Sequence, residues 1–265
     1  MINLRNKLIG LRALWPFTNR WQLIFERLFF PNTAVSLYRI GDIEFLIDHA
    51  AGDHNGTRLC LISDIYTRFL PKMDLGEAIS VFDLGANGGG FPLMLLLEGK
   101  CFQKLVCVEM NPNTFRRLQY NVSRNLRAEH TLINGAICGK HRQFHLSLGR
   151  GDISDSIYRG SDPQQPDQTD YVIEGYTFDE LYRTNFGNAR VDICKMDIEG
   201  AEYEVMSSPE HESLRLCRYL LVELHPAAAD QLERFHRAMD DAGFDLADPG
   251  DGKIPGERLY WNKNR

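Results

Sequence analysis

The pattern of apolar and polar positions changes near residue 80. Beyond it, short runs rich in β-branched residues alternate with segments whose apolar residues recur every three or four positions. Such alternation is typical of a mostly parallel sheet with helices on both faces. The pattern therefore predicts an open α/β fold with strands at 79–85, 104–110, 130–137, 191–197, 218–224, 244–247 and 258–262, and an additional strand at 141–149.

Helices are predicted between these strands. The first follows a glycine-rich turn and has Pro92 near its first turn, where the missing N–H group costs nothing. A second helix begins near Asn113, and two later helices cover 201–207 and 227–242. Gly243 ends the last of them, as glycine commonly does after a helix.

Residues 1–59 are predicted to form a basic and aromatic extension before a domain at 60–265. The first 40 residues contain six lysine and arginine residues and one glutamate, together with bulky apolar residues. We expect a helical extension that packs on its own domain, and the alternative is contact with a membrane or another subunit through residues 1–30. No apolar run predicts a membrane span or a secretory signal. The expected location is the cytoplasm, at the inner membrane surface if the extension contacts lipid.

Residues 149–170 are polar and rich in glycine, proline, serine and aspartate, which predicts a loop. Its position in the chain would let it cover the carboxyl edge of the sheet. A substrate lid and a flexible insertion are equally consistent with this pattern.

Candidate binding residues stand at strand ends, because open α/β sheets bind ligands beyond the carboxyl ends of their strands. The first strand ends near Asp83 and enters a glycine-rich turn through Gly85 and Asn87. Glycines let the backbone approach a ligand closely, and the turn matches neither GxGxxG nor a phosphate loop. An acid here suits a ligand with an ammonium group, since a carboxylate accepts charge-assisted hydrogen bonds.

The second strand ends at Glu109, and Met110 follows it. A carboxylate at this point can accept hydrogen bonds from two neighbouring ribose hydroxyls. Methionine can cover an adenine ring, although it more often packs in a core. Ammonium, ribose and adenine together indicate S-adenosylmethionine.

With these residues in place, the chain resembles the FkbM-type methyltransferases, a branch of the class I S-adenosylmethionine-dependent enzymes. The stretches that carry the resemblance are VFDLGANGGGF (81–91), VEMNPNTFRRLQYN (108–121), DICKMDIEGAEYEVM (192–206) and LLVELHP (220–226). The resemblance covers about 60–263 and implies a Rossmann-like methyltransferase fold with a seven-stranded sheet. It also implies O-methylation of hydroxyls on sugars or polyketide-like products, with a cofactor site lined by Asp83, Gly85, Asn87, Glu109 and Ala136.

A polar cluster is expected where the fourth and fifth strands end. Lys195, Asp197 and Glu199 alternate around one strand end, and Glu223 and His225 around the next. This spacing would place them above the methyl group of the cofactor. A buried lysine needs a partner, and Glu223 is the candidate. A structural ion pair between these two is favoured over direct catalysis.

Methyl transfer to an alcohol requires a base that removes the hydroxyl proton. His225 is the first choice because the ordinary pKa of histidine is about 6.5, and Asp197 or Glu199 would take the proton or orient the imidazole. The structural alternatives are a histidine that caps the next helix and a glutamate in a first helical turn. Asp197 and Glu199 are hard oxygen ligands, but two acids are too few to predict a metal site.

Composition limits the kinds of partner that the chain is expected to bind. The chain has 30 lysine and arginine residues, 36 aspartate and glutamate residues and a net charge of −6, which disfavours nucleic acid. Its six scattered cysteines form no CxxC pair, as expected in a reducing compartment.

The prediction is O-methylation of a small-molecule or glycan acceptor. The alternatives are a scaffolding protein of the same fold that docks through its N-terminus, and an N-methyltransferase acting on a small molecule.

Overall fold

The computed structural model describes residues 13–151, 155–158 and 168–264. In chain order these form α1 (Arg20–Phe29), β1 (Val35–Ile40), β2 (Ile43–Asp48), α2 (Thr57–Ile62), β3 (Ala78–Leu84), α3 (Gly90–Leu97), β4 (Cys101–Glu109), α4 (Pro112–Asn125), β5 (His130–Asn134), β6 (Ala136–Ile137), β7 (Arg142–Leu148), β8 (Thr169–Tyr176), α5 (Phe178–Phe186), β9 (Val191–Met196), α6 (Glu202–Ser207), β10 (Cys217–Leu224), α7 (Ala229–Asp241), β11 (Phe244–Asp248) and β12 (Gly256–Asn262). Two 3₁₀ helices, Thr67–Lys72 and Glu212–Leu216, precede β3 and β10.

A seven-stranded sheet forms the centre of the fold, in the order β5-β4-β3-β9-β10-β12-β11. The first five strands in this order are parallel, whereas β12 runs antiparallel to both of its neighbours. Such a sheet, with chain crossovers that carry helices, is the Rossmann-like architecture. The predicted fold class is confirmed.

Hydrophobic clusters cover both faces of this sheet. Successive β3 residues Val81 and Phe82 enter opposite clusters, because neighbouring side chains of a strand point to opposite faces. Leu118 of α4 packs in the first cluster, and Phe178 of α5 and Phe235 of α7 pack in the second. The central strands therefore consist of nearly continuous apolar runs, as their sequences do.

The predicted strand at 130–137 is two strands. Gly135 separates β5, in the main sheet, from β6, which pairs with β8 in a small sheet that also contains β7. A Cβ on Gly135 would lie 2.7 Å from the Tyr176 ring, so the chain passes closely under β8 at this point. The strand predicted at 141–149 corresponds to β7. Strand β8, helix α5 and the hairpin of β1 and β2 were not predicted.

The predicted helical N-terminal extension contains α1, although residues 1–12 lie outside the described part of the chain. The antiparallel β1–β2 hairpin follows it and buries Tyr38 and Phe45. In the predicted loop at 149–170, the described residues are 149–151, 155–158 and 168–170, and the rest lie outside the described residues. Among the described helices, none has both the length and the apolar character needed to cross a membrane.

Candidate active site

A cavity of about 330 Å³ opens at the carboxyl ends of β3, β4, β9 and β10. The predicted site residues that line it are Gly85, Asn87, Glu109, Met110, Ala136, Lys195, Asp197, Glu199 and Glu223. Asp83 and His225 are predicted site residues that do not line this cavity. The sheet therefore brings most of the predicted set to one place.

The glycine-rich turn after β3 runs against the chain that follows β9. Gly85 has a φ of 77°, and a Cβ at this position would lie 1.7 Å from the Asp197 carbonyl oxygen. Glycine is needed here for both the conformation and the space. Asn87 also adopts a positive φ, of 48°, which asparagine tolerates better than most residues. The turn forms one wall of the cavity.

Glu109 ends β4 with its side chain at the cavity, 8% exposed. One carboxylate oxygen accepts the Asn111 N–H at 2.8 Å and the other accepts the Asn87 N–H at 2.9 Å. Burial raises the pKa of Glu109 to about 7, although these two hydrogen bonds oppose the shift. Each carboxylate oxygen can accept more than one hydrogen bond, so Glu109 retains capacity for ligand hydroxyls.

Asp83 is fully buried behind Lys195. The two lie opposite each other on β3 and β9, with Lys195 Nζ 3.4 Å from Asp83 Oδ1. Burial raises the pKa of Asp83, and the positive charge of Lys195 opposes this shift. The carboxylate predicted to meet the ammonium group of a ligand is thus directed at an internal cation.

Lys195 pairs with different acids from the one predicted. Its Nζ lies 3.3 Å from Asp197 Oδ2 and donates to the Gly85 carbonyl at 3.0 Å, in addition to the Asp83 contact. The register of the sheet explains the difference, because Lys195 lies beside Leu221 of β10 and Glu223 is two residues further on. Burial lowers the pKa of Lys195, but Asp197 and Asp83 outweigh it and raise the pKa. Lys195 is therefore a cation.

His225 is enclosed by carboxylates and faces a second hollow beside the cavity. Its Nδ1 lies 3.1 Å from Glu202 Oε1, and its Nε2 lies 3.3 Å from Glu199 Oε2 and 4.0 Å from Glu223 Oε1. Burial lowers the pKa of His225, but Glu199 and Glu202 outweigh it and raise the pKa to about 11. The imidazole is therefore protonated at neutral pH, whereas a general base must be unprotonated.

The structural alternatives for His225 and Glu199 are not realised either. Ala228 is the N-cap of α7, so His225 does not cap that helix. Helix α6 begins at Glu202, three residues after Glu199, so Glu199 precedes its first turn. Glu199 instead has a φ of 53°, in the left-handed region.

Two carboxylates at the cavity have raised pKa values. Burial and the negative charge of Asp197 raise the pKa of Glu223 to about 8. Burial also raises the pKa of Glu199, while His225 opposes the shift. With Asp197, these two form an acidic wall at the ends of β9 and β10.

The sequence analysis missed the cavity residues that precede β3. Tyr66 donates a 3.3 Å hydrogen bond to Asp197, and Thr57 donates one of 3.1 Å to Asn87. A Cβ on Gly88 would lie 2.3 Å from the Thr57 hydroxyl oxygen, so α2 packs directly on the glycine-rich turn. In the sequence, the polar stretch GDHNGT at 52–57 could have indicated that this segment lines the cavity.

Comparison with known proteins identifies the family. The FkbM methyltransferase domain matches residues 83–246, which is more than half of the chain. The chain belongs to the FkbM methyltransferase family. The resemblance inferred from the sequence is confirmed. No curated protein matches the chain.

Several solved structures are similar at low sequence identity. The FkbM methyltransferase from Methylobacillus flagellatus is 15% identical over 75% of this chain and 47% of its own, with a TM-score of 0.45. The precorrin-6y C5,15-methyltransferase from Geobacter metallireducens is 12% identical over 77% and 91%, with a TM-score of 0.42. The M. jannaschii TYW2 in complex with AdoMet is 13% identical over 86% and 83%, with a TM-score of 0.40. The chain thus spans about half the length of the Methylobacillus protein.

Proposed function

We propose that this protein transfers a methyl group from S-adenosylmethionine to a hydroxyl of a saccharide or another small molecule. The observation that carries the proposal is the position of Glu109. Its carboxylate lies at the end of β4, lines the cavity beside the glycine-rich turn, and retains lone pairs for ribose hydroxyls. Membership of the FkbM family supports the same donor.

The cavity residues fit S-adenosylmethionine. Gly85 leaves no space for a side chain beside the Asp197 carbonyl, so the turn packs closely on the chain after β9 and forms a backbone wall for the ligand. Met110 and Ala136 line the cavity near Glu109 and would contact the adenine ring. We assign Asp83 a positioning role, because it holds the Lys195 ammonium group that binds Asp197 and the Gly85 carbonyl.

S-adenosylmethionine supplies an activated methyl group on a sulfonium. The protein must then align the acceptor hydroxyl and accept its proton. Asp197 and Glu199 line the cavity and we assign proton removal to these carboxylates. His225 would hold Glu199 in place through their 3.3 Å contact.

The second hollow provides room for the acceptor. It has a volume of about 690 Å³ and shares Ser156 and Glu199 with the cavity. Tyr158 and Tyr203 line it together with His225, which gives a partly aromatic and partly charged surface. An acceptor in this hollow would reach the acidic wall. An amine acceptor is the alternative, and product analysis with hydroxyl and amine acceptors distinguishes the two.

Cofactor binding tests the proposal directly. Isothermal titration of the folded full-length protein with S-adenosylmethionine should show one saturable site. Glu109→Gln should weaken binding by about tenfold or more, since a hydrogen bond to a charged group contributes about 1.5–3 kcal/mol. The matched control is Glu129→Gln, because the Glu129 side chain is 68% exposed and pairs with Lys104.

Binding by the wild type and the two variants can be compared once circular dichroism shows that each protein is folded. Saturable binding that Glu109→Gln weakens and Glu129→Gln leaves unchanged supports the proposal. A folded wild-type protein without saturable binding overturns it. Equal affinity of Glu109→Gln and wild type would show that the ribose contact is assigned to the wrong residue.

A further inference from the structure

The side chains at the ends of β9 and β10 have the donor set of a divalent cation site. Asp197 and Glu223 each offer a carboxylate oxygen and His225 offers a ring nitrogen, and these three atoms lie within 4.8 Å of one another. Ligands on one ion lie no more than about 4.4 Å apart, because each bond to the metal is about 2.0–2.2 Å long. Small side-chain rotations would therefore bring all three atoms to one ion.

His225 has the second contact that metal-bound histidines usually have. Its Nδ1 faces Glu202 Oε1 at 3.1 Å, and the fully buried Glu202 also accepts the Ile198 N–H at 3.0 Å. A carboxylate that accepts the Nδ1 hydrogen fixes the orientation of the ring, and a metal ion that displaces the Nε2 proton can then bind Nε2. Nε2 is the nitrogen that faces Glu199 and Glu223.

The charge at this place also favours a cation. Asp197 shares the Lys195 ammonium group with the fully buried Asp83, so one positive charge serves two carboxylates. Glu199 and Glu223 both face the single imidazole of His225. Half-buried carboxylates that outnumber the cationic side chains beside them lower the stability of the folded protein, and a bound divalent ion offsets that free-energy cost.

We propose that Asp197, Glu223 and His225 bind one divalent metal ion, with Glu202 as the positioning residue for His225. Carboxylate oxygens with one imidazole nitrogen suit ions such as Mn²⁺ better than Ca²⁺, which prefers oxygen ligands alone. The ion would lie at the edge of the cavity, where it can polarise an acceptor oxygen. With the ion bound, Asp197 is a ligand, and Glu199 is the cavity carboxylate that remains for proton removal. The ligands are separate from Glu109, so metal binding can be tested apart from cofactor binding.

Manganese binding tests this proposal. The full-length protein is treated with EDTA, dialysed and titrated with MnCl₂ while electron paramagnetic resonance measures free Mn²⁺. We expect one saturable site. Glu223→Gln should weaken Mn²⁺ binding by at least tenfold, because an amide replaces an anionic ligand. Glu204→Gln is the matched control, since Glu204 lines the neighbouring hollow and pairs with Arg142 instead.

The positioning role of Glu202 needs a separate variant. Glu202→Gln keeps an oxygen that can accept the Nδ1 hydrogen but removes the charge, and should weaken Mn²⁺ binding by about 10- to 100-fold. If this variant does not fold, the melting temperature of the wild type still tests the cation site itself, because Mn²⁺ that binds only the folded state raises that temperature.

The absence of saturable Mn²⁺ binding at millimolar concentration, or equal affinity of Glu223→Gln and wild type, overturns the cation site. Titration of the same samples with S-adenosylmethionine separates the two proposals. Cofactor binding without Mn²⁺ binding contradicts only the cation site. Mn²⁺ binding without cofactor binding contradicts only the methyl-transfer proposal.

Discussion

Single residues in this site take their chemistry from neighbours that are distant in the sequence. His225 was predicted to be the base because of its ordinary pKa, but two glutamates outweigh burial and raise its pKa to about 11. Asp83 was predicted to face a ligand, but Lys195 lies 3.4 Å away inside the protein. In both cases the residue type was recognised and its partners were not.

The ionisation of the single residue Glu109 predicts how the affinity for S-adenosylmethionine depends on pH. Burial raises its pKa to about 7, so the free carboxyl group is mostly protonated below this pH and ionised above it. Ribose hydroxyls donate to the ionised form, so affinity for S-adenosylmethionine should fall as the pH decreases below about 7. The decrease should approach tenfold per pH unit, since one proton competes with the ligand.

Isothermal titration between about pH 5.5 and 8 measures this dependence. Glu109→Gln cannot ionise and should lose this part of the pH dependence. A wild-type affinity that is constant, or that increases as the solution becomes more acidic, would contradict the role of Glu109.

Among the secondary structure elements, α4 joins the N-terminal hairpin to the cofactor turn. Fully buried Asn121 accepts the Leu46 N–H at 2.7 Å and donates to the carbonyls of Leu46 and Gly88 at 3.2 and 2.8 Å. One helical turn later, Asn125 forms similar bonds with the backbone of Glu44. The helix thus pairs with the edge of β2 through its asparagine side chains.

Asn121→Ala should lower the free energy of unfolding by about 2–3 kcal/mol, because it leaves buried backbone groups without partners. Asn125→Ala removes the same kind of bonds from a less buried position and should have a smaller effect. Urea denaturation measures both changes. An equal or smaller loss for Asn121→Ala would show that this bridge does not stabilise the fold as proposed.

In the whole molecule, the N-terminal segment has one face in the core and one in solvent. Leu14, Phe17 and Leu23 are buried in the cluster that contains Val81 of the main sheet. The predicted boundary between residues 59 and 60 stays a prediction. On the other face of α1, Trp21, Phe25 and Phe29 are 67%, 52% and 65% exposed.

The alternative function, docking through residues 1–30, depends on this exposed face. If it contacts lipid, the wild type should sediment with anionic vesicles, and a variant with Trp21→Ser, Phe25→Ser and Phe29→Ser should remain in the supernatant. The melting temperature of this variant should be nearly unchanged, because the replaced side chains are exposed. Equal sedimentation of both proteins, or none with the wild type, argues against a membrane contact.

The elements of the main sheet could be predicted because their signals are local. Buried parallel strands consist of apolar runs, and glycines or acids mark their ends, so Asp83, Glu109 and Asp197 could be located along the chain. The β1–β2 hairpin was missed, although its two-residue turn Gly41–Asp42 between runs of apolar residues is a local hairpin signal. The sequence does not show where its side chains are buried, which is in the first hydrophobic cluster.

The amino-acid sequence alone determined the class of fold, the order of its main strands along the chain, and the residue types that meet beyond their carboxyl ends. Only the tertiary structure decided which charges pair. The register of β9 places Lys195 beside Asp83 and two residues before the level of Glu223, and the approach of α6 places Glu202 against His225. Ionisation depends on such distances between separate segments, and the spacing of residues along one strand does not specify them.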